Sequence, residues 1–274
     1  MKPNGSGVPQ PPAPPPSFLD TGEFSVLCEI EPPRRPDIEH VRAQIEELRD
    51  VAGAFLIPDN HLGRATVSSV AVAHEVAYMG SRSIACLNAR DRNLLGFRRD
   101  LLTAAAYGVD HFLFVYGDAP REGRRTEDLT VRGMIDEVRS LAVGPLFQGY
   151  PDFRIGTVAK PSRPLAWRTR ADFIFVQISY SMDRLLRWRD SLDFDGRVYA
   201  GVLVLASSRM ARSVNASIPD IRVPDRIIDK LDDPEAGIDI ACEQIEEIRS
   251  SGAFDGIHLV PVGKYREVAD RLRA

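Results

Sequence analysis

The sequence lacks most of the features that would tie a chain to nucleic acid, a membrane or a metal. Its net charge is −4 and its basic residues are scattered rather than gathered into a stripe, so a phosphate-backbone partner is not expected. No apolar run approaches the roughly 20 residues of a membrane span, and no apolar segment follows Lys2 as it would in a signal peptide. The three cysteines, Cys28, Cys86 and Cys242, lie far apart and have no CxxC spacing. Cys28 and Cys86 sit inside apolar runs, where a reduced thiol behaves as a small hydrophobe, in keeping with a cytoplasmic setting. The histidines, His40, His61, His74, His111 and His258, show no ligand spacing, so no metal is assigned. GxGxxG, the P-loop, GxSxG and HExxH are all missing, so any nicotinamide nucleotide would be held without a Rossmann fingerprint.

What is present starts with proline. Residues 1–17 hold seven prolines and no apolar cluster. Such a segment cannot offset its ordering entropy by burial, which predicts a disordered or polyproline-II tail; a ligand for an SH3-type module is the functional alternative. The folded domain is expected over residues 18–274. From there apolar runs alternate with helical patterns. Strands are predicted over residues 24–30, 53–58, 82–87, 111–116, 153–159, 172–178, 198–205 and 256–261. Several are almost continuously apolar, as parallel strands covered on both faces are. Between them, Ile38/Val41/Ile45/Leu48, Val131/Ile135/Val138/Leu141, Leu185/Trp188/Leu192 and Ile238/Ala241/Ile245/Ile248 fall on single helical stripes. Eight strand–helix units in about 250 residues predict an α/β fold of the (β/α)8 TIM-barrel type, with an open doubly wound sheet as the competitor.

In such a barrel the reacting groups stand at the C-terminal strand ends. Read in order, these ends carry Glu29 and Glu31, then Pro58-Asp59-Asn60. The ARDRN stretch 89–93 follows Asn88, and then come Tyr116-Gly117-Asp118, Lys160, Gln177, Ser179 and Tyr180, Ser207 and Ser208, and Pro261. Glu29 is the most informative. A glutamate closing an apolar strand is either functional or exposed, and strand alternation puts Glu31 on the same face. A desolvated carboxyl beside another carboxylate suits a general acid, whereas a rim carboxylate would pair with Arg34 or Arg35. Asp118, in VYGDAP, fits a site residue or a loop cap. Gln177 interrupts FIFVQI and needs a partner if buried. The ARDRN loop fits an anion site or a solvated charged turn.

These residues resemble the methylenetetrahydrofolate reductase family. EIEPPR looks like that family's EFFPPK, VYGD like its LRGD, and ADFIFVQISYS with LLRWRD like ADFIITQFFFD and the helix after it. GIHLVPV resembles the last barrel strand, and the likeness runs over roughly residues 23–265. The resemblance implies Glu29 as the catalytic acid and Asp118 and Gln177 as ligands of the folate pterin. The departures fall on positions the family uses for flavin: Pro58-Asp59 replaces a threonine-tyrosine pair, Ser83 a histidine, Tyr116 an arginine and Lys160 a tyrosine. The segment after Pro161 is also short.

The expectation is therefore reduction of 5,10-methylenetetrahydrofolate to 5-methyltetrahydrofolate by NADH, or NADPH, with FAD absent. Asn88, Arg90, Tyr116 and Lys160 are the candidates for holding the dinucleotide. The rivals are an ordinary FAD-dependent enzyme, a related enzyme on a methanopterin-like substrate, and a folate-binding paralogue without turnover.

Overall fold

The structure, a computed structural model, describes residues 15–150, 152–163, 166–218, 220–233 and 235–273. Eight strands alternate with helices along the chain: β1 (Ser25–Glu29), β2 (Ala54–Ile57), β3 (Ser83–Asn88), β4 (His111–Val115), β5 (Arg154–Ala159), β6 (Phe173–Val176), β7 (Arg197–Leu203) and β8 (Gly256–Val260). Neighbours pair in parallel in sequence order, and β8 returns to β1, so the sheet closes into the expected barrel and the open alternative is excluded. Every strand lies within two residues of its predicted ends.

The helices are α1 (Glu39–Leu48), α2 (Ser69–Tyr78), α3 (Leu94–Ala106), α4 (Val131–Ala142), α5 (Met182–Asp190), α6 (Ser208–Ser217), α7 (Asp225–Ile228), α8 (Ala236–Ser250) and α9 (Tyr265–Arg273). The stripes of α1, α4, α5 and α8 are buried except at Ile38, Leu141 and Leu192, which are half-buried, Ile38 and Leu192 lying just outside their helices. Among the described residues no helix is long and apolar enough to cross a membrane.

Strand alternation sorts the apolar residues into two layers. Cys28, Phe55, Ile57, Ala85 and Leu87 face outward to the helices, in one continuous core with Val41, Ile45 and Leu48. Leu27, Leu56, Ile84, Cys86, Leu113, Phe173, Phe175 and Tyr199 face inward and fill the barrel. Gly156 on β5 makes room there, because a Cβ at that point would lie 2.1 Å from the Phe173 ring.

The N-terminal end of the barrel is plugged. Phe18 is buried and packs against Phe173, Tyr199 and His111 at centroid distances of 5.6, 5.6 and 5.2 Å. Ser17 Oγ lies 2.8 Å from His111 Nε2, whose Nδ1 lies 2.6 Å from Asp110. Arg82 bonds both Asp110 and the Pro15 carbonyl. The predicted tail, residues 1–17, lies outside the described residues as far as residue 14. Its last positions differ from the expectation: Ser17 is buried and the packed chain begins about three residues earlier than Phe18, since a hydroxyl and a carbonyl found buried partners there.

Candidate active site

Glu29 closes β1. Because Leu27 points into the barrel, the two-residue repeat points Glu29 inward as well, above the apolar filling. On the neighbouring strand β8, His258 pairs in register with Leu27 and lies on the same inner face. Its Nε2 is 3.2 Å from Glu29 Oε2, with the two side chains only 14% and 16% exposed. The contact is within ion-pair reach but off the hydrogen-bond direction, and Nε2 has no other partner among the described residues. The imidazole stacks on Phe175 of β6, with centroids 4.9 Å apart and planes 20° from parallel, which fixes the ring against the carboxylate. The alternative pairing of Glu29 with Arg34 or Arg35 does not form among the described residues.

Three further groups surround this pair. Cys86 of β3 faces it from within the barrel, and its thiol is pushed well up by burial and by the negative charges of Glu29 and Asp59. Tyr265, at the start of α9, has its phenol pushed up by burial and by the charges of Glu31 and Glu29. Gln44 of α1 holds the chain just after the acid. Its Oε1 accepts from the Glu31 N–H at 2.8 Å, and its Nε2 donates to the Glu31 carbonyl at 3.1 Å. After β8, Val262 takes φ of 48°, a strained setting for a β-branched residue that turns the chain sharply past the His258 strand.

Glu29 opens into a pocket of about 450 Å³ whose walls include Glu31, Arg34, Arg35, His40, Pro58 and His61. A cleft of about 530 Å³ lies at the opposite barrel end, around Asp20, Arg154, Asp172 and Arg197, away from the strand ends that carry the acid.

The other sequence candidates stand at the same mouth but are not all available. Gln177 continues the inward register of Phe173 and Phe175. It is half-buried, its N–H is bonded to the Ala159 carbonyl, and its side-chain amide has no partner among the described residues. Asp118 is exposed and accepts the Leu62 N–H at 2.9 Å, which clasps the loop after β4 to the turn at His61–Gly63. That turn is tight: a Cβ on Gly63 would lie 2.0 Å from the Ala119 carbonyl oxygen.

Of the proposed dinucleotide set, Asn88, Arg90 and Lys160 are engaged within the protein and Tyr116 is exposed. Asn88 is fully buried and bonds Asp59 at 2.7 Å and Asp91 at 3.0 Å. Arg90 is 2% exposed and its guanidinium is held by Asp91. Arg92 bridges Asp59, Asp100 and the Asn88 carbonyl. The ARDRN charges therefore neutralise one another and those of the strand end beside them, and they offer no open anion site. Lys160 is paired with Asp220 across the mouth, while Tyr116 is exposed. Ser83 begins β3 with its side chain on the outward face, so its replacement of a histidine has no bearing on the mouth.

His258 and Gln44 escaped the sequence reading, although each left a trace. His258 is the polar interruption of the last apolar strand, as Gln177 is of the sixth. Gln44 is a buried amide on the apolar stripe of α1.

The comparisons agree with this architecture. A protein from Clostridium thermocellum that binds two copies of 5-methyl-5,6,7,8-tetrahydrofolic acid superposes with a TM-score of 0.65 at 13% identity, covering 93% of this chain and 96% of that one. Mycobacterium tuberculosis tryptophan synthase superposes with a TM-score of 0.50 at 11% identity, over 92% and 94%. At these identities the likeness is one of fold. Among curated proteins none matches the chain in sequence. The family model for methylenetetrahydrofolate reductase matches residues 16–270, nearly the whole described barrel, and the chain belongs to that family.

Proposed function

We propose that the protein reduces 5,10-methylenetetrahydrofolate to 5-methyltetrahydrofolate with a hydride taken directly from NADH, or from NADPH. The observation that carries this is the Glu29–His258 pair, an inward carboxyl at the C-terminal barrel mouth that opens into a ligand-sized pocket. Glu29 gives its proton to N10 of the folate as the bond from N10 to the bridging carbon breaks. That carbon becomes the electrophilic end of an iminium on N5. A hydride from the dihydronicotinamide adds to it, leaving the methyl group on N5 and an oxidised nicotinamide, and one solvent proton restores Glu29. Gln177, whose amide has no partner among the described residues, and the Asp118 oxygen not used on the Leu62 N–H supply pterin contacts. His258, fixed by Phe175, keeps the Glu29 carboxyl aimed into the pocket.

Two of the positions where the resemblance puts flavin contacts are engaged within the protein, Asp59 with Asn88 and Arg92 and Lys160 with Asp220; this favours a route without flavin, and no step is routed through one. A folate-binding protein without turnover is the alternative, favoured by the ligand of the Clostridium thermocellum protein. Turnover of methylenetetrahydrofolate with NADH by a purified protein showing no flavin absorbance supports the proposal. Stoichiometric FAD with ping-pong kinetics overturns the direct route, and tight folate binding with no turnover selects the alternative.

A further inference from the structure

The pocket that Glu29 opens into is lined in part by groups that the reduction chemistry leaves unused. Its rim carries Arg34 and Arg35, both exposed and neither engaged in an ion pair or side-chain hydrogen bond among the described residues. Three nearby arginines are spent on acids, Arg42 on Glu39 and Glu75, Arg90 on Asp91, and Arg92 on Asp59 and Asp100, while others such as Arg64 and Arg184 form no ion pair among the described residues but do not line this pocket. The acids that share the pocket, Glu29, Glu31 and Asp37, form no ion pair with either arginine among the described residues. Asp37 uses a carboxylate oxygen on the Glu39 N–H at 3.0 Å, at the start of α1, and the Glu31 side chain is turned to solvent.

The loop that presents these arginines is rigid. Pro32, Pro33 and Pro36 restrict its backbone, and Pro32 and Pro33 are buried. Gln44 clamps Glu31 through both its N–H and its carbonyl. The Val67 N–H bonds the Pro33 carbonyl at 2.8 Å, and the Asp37 N–H bonds the Arg35 carbonyl at 2.7 Å. Two adjacent like charges held on a fixed loop repel each other, and among the described residues no acid forms an ion pair with either, although Glu29, Glu31 and Asp37 line the same pocket. An anion entering between them relieves that repulsion, and the loop loses little conformational freedom on binding it. Guanidinium groups pair with carboxylate and phosphate oxygens in two-point fashion, which a lysine or histidine does not reproduce.

We propose that Arg34 and Arg35 form an anion-binding subsite for the charged end of a substrate, with His40 and His61 lining its walls. This rests on the reading that Glu29 acts on a folate in the same pocket. Two sources carry the matching chemistry: the glutamate carboxylates of the folate tail and the diphosphate of the nicotinamide dinucleotide.

The test is calorimetric titration of the full chain and of the Arg34→Gln/Arg35→Gln variant, with 5-methyltetrahydrofolate monoglutamate and with NADH in separate experiments. Both side chains are exposed, so the variant is expected to keep the wild-type thermal midpoint. The affinity for one ligand should fall about tenfold or more, while the other moves by less than about twofold. Loss confined to the folate assigns the carboxylate source, and loss confined to NADH the phosphate source. The affected ligand should also lose most of its salt dependence in the variant. Unchanged affinities alongside Glu29-dependent turnover overturn this subsite alone, as does equal weakening of both ligands. A wild-type protein that binds neither ligand overturns the functional reading and the subsite with it.

Discussion

Two sectors of the barrel mouth are equally rich in charged residues and use them in opposite ways. In the sector built from β2, β3 and the loop after β3, Asp59, Asn88, Asp91, Arg92 and Asp100 are bonded to one another, and Arg90 is buried against Asp91. In the sector built from β8, β1 and the loop after β1, Glu29 meets only an off-axis histidine, and Arg34 and Arg35 meet no acid among the described residues. This network makes the first sector a girder, because each buried charge there faces an opposite one, although Arg90 Nη1 has no hydrogen-bond partner among the described residues. The second sector keeps its charges open beside a pocket, the condition under which a ligand changes their energy. Residue type alone does not separate the two. Partner assignment does.

The strongest way to break this comparison is Glu29→Gln. It keeps the side-chain shape and removes the transferable proton, so turnover should fall about 10²–10⁴-fold while the thermal midpoint stays put. Glu31→Gln, whose side chain is exposed, should cost far less. Equal losses at the two positions would mean that the wrong carboxylate has been assigned.

Asp59→Ala probes the girder from the other side. It strips Arg92 and Asn88 of a buried partner, and urea unfolding should show a loss of about 3 kcal/mol. A variant of unchanged stability whose turnover collapses would move the site into this sector.

A smaller effect is expected from His258→Asn, which frees the Glu29 carboxyl to adopt unproductive orientations. The turnover number should drop about ten- to a hundredfold with KM close to wild type. A KM effect of the same size would make His258 a ligand-binding group rather than a positioning one.

The smallest effect is on acid stability. Burial by itself raises the Asp91 carboxyl. Its bonds to Arg90, Asn60 and Asn88, with the Arg90 charge, more than reverse this and hold it below the ordinary range. A carboxyl depressed in the fold contributes stability above the unfolded value of about 4, and that contribution fades as pH falls through the lower folded value. The stability gap between wild type and Asp91→Asn should therefore shrink on acidification from pH 6 to about pH 3. A gap independent of pH would mean that Asp91 acts as a hydrogen-bond acceptor without its charge.

The sequence by itself determined the barrel, because β/α alternation and apolar periodicity are local patterns that admit few topologies. It also put Glu29 and Gln177 at the strand ends that form the mouth, while the inward direction of both side chains came from the closed barrel register. The tertiary structure alone decided which charges find each other. Asn88 and Arg90 looked like ligand-binding groups in a charged loop, and Asp59 was read as a strand-end polar residue and a departure from the family pattern. Their mutual bonds span up to 33 positions of sequence and depend on how neighbouring strands shift in register. His258 meets Glu29 only because the last strand closes onto the first, a contact across 229 positions that no local pattern encodes. Charge pairing is a short-range interaction between long-range neighbours, so the ring had to close before acid, histidine and open arginines could be told apart from the girder beside them.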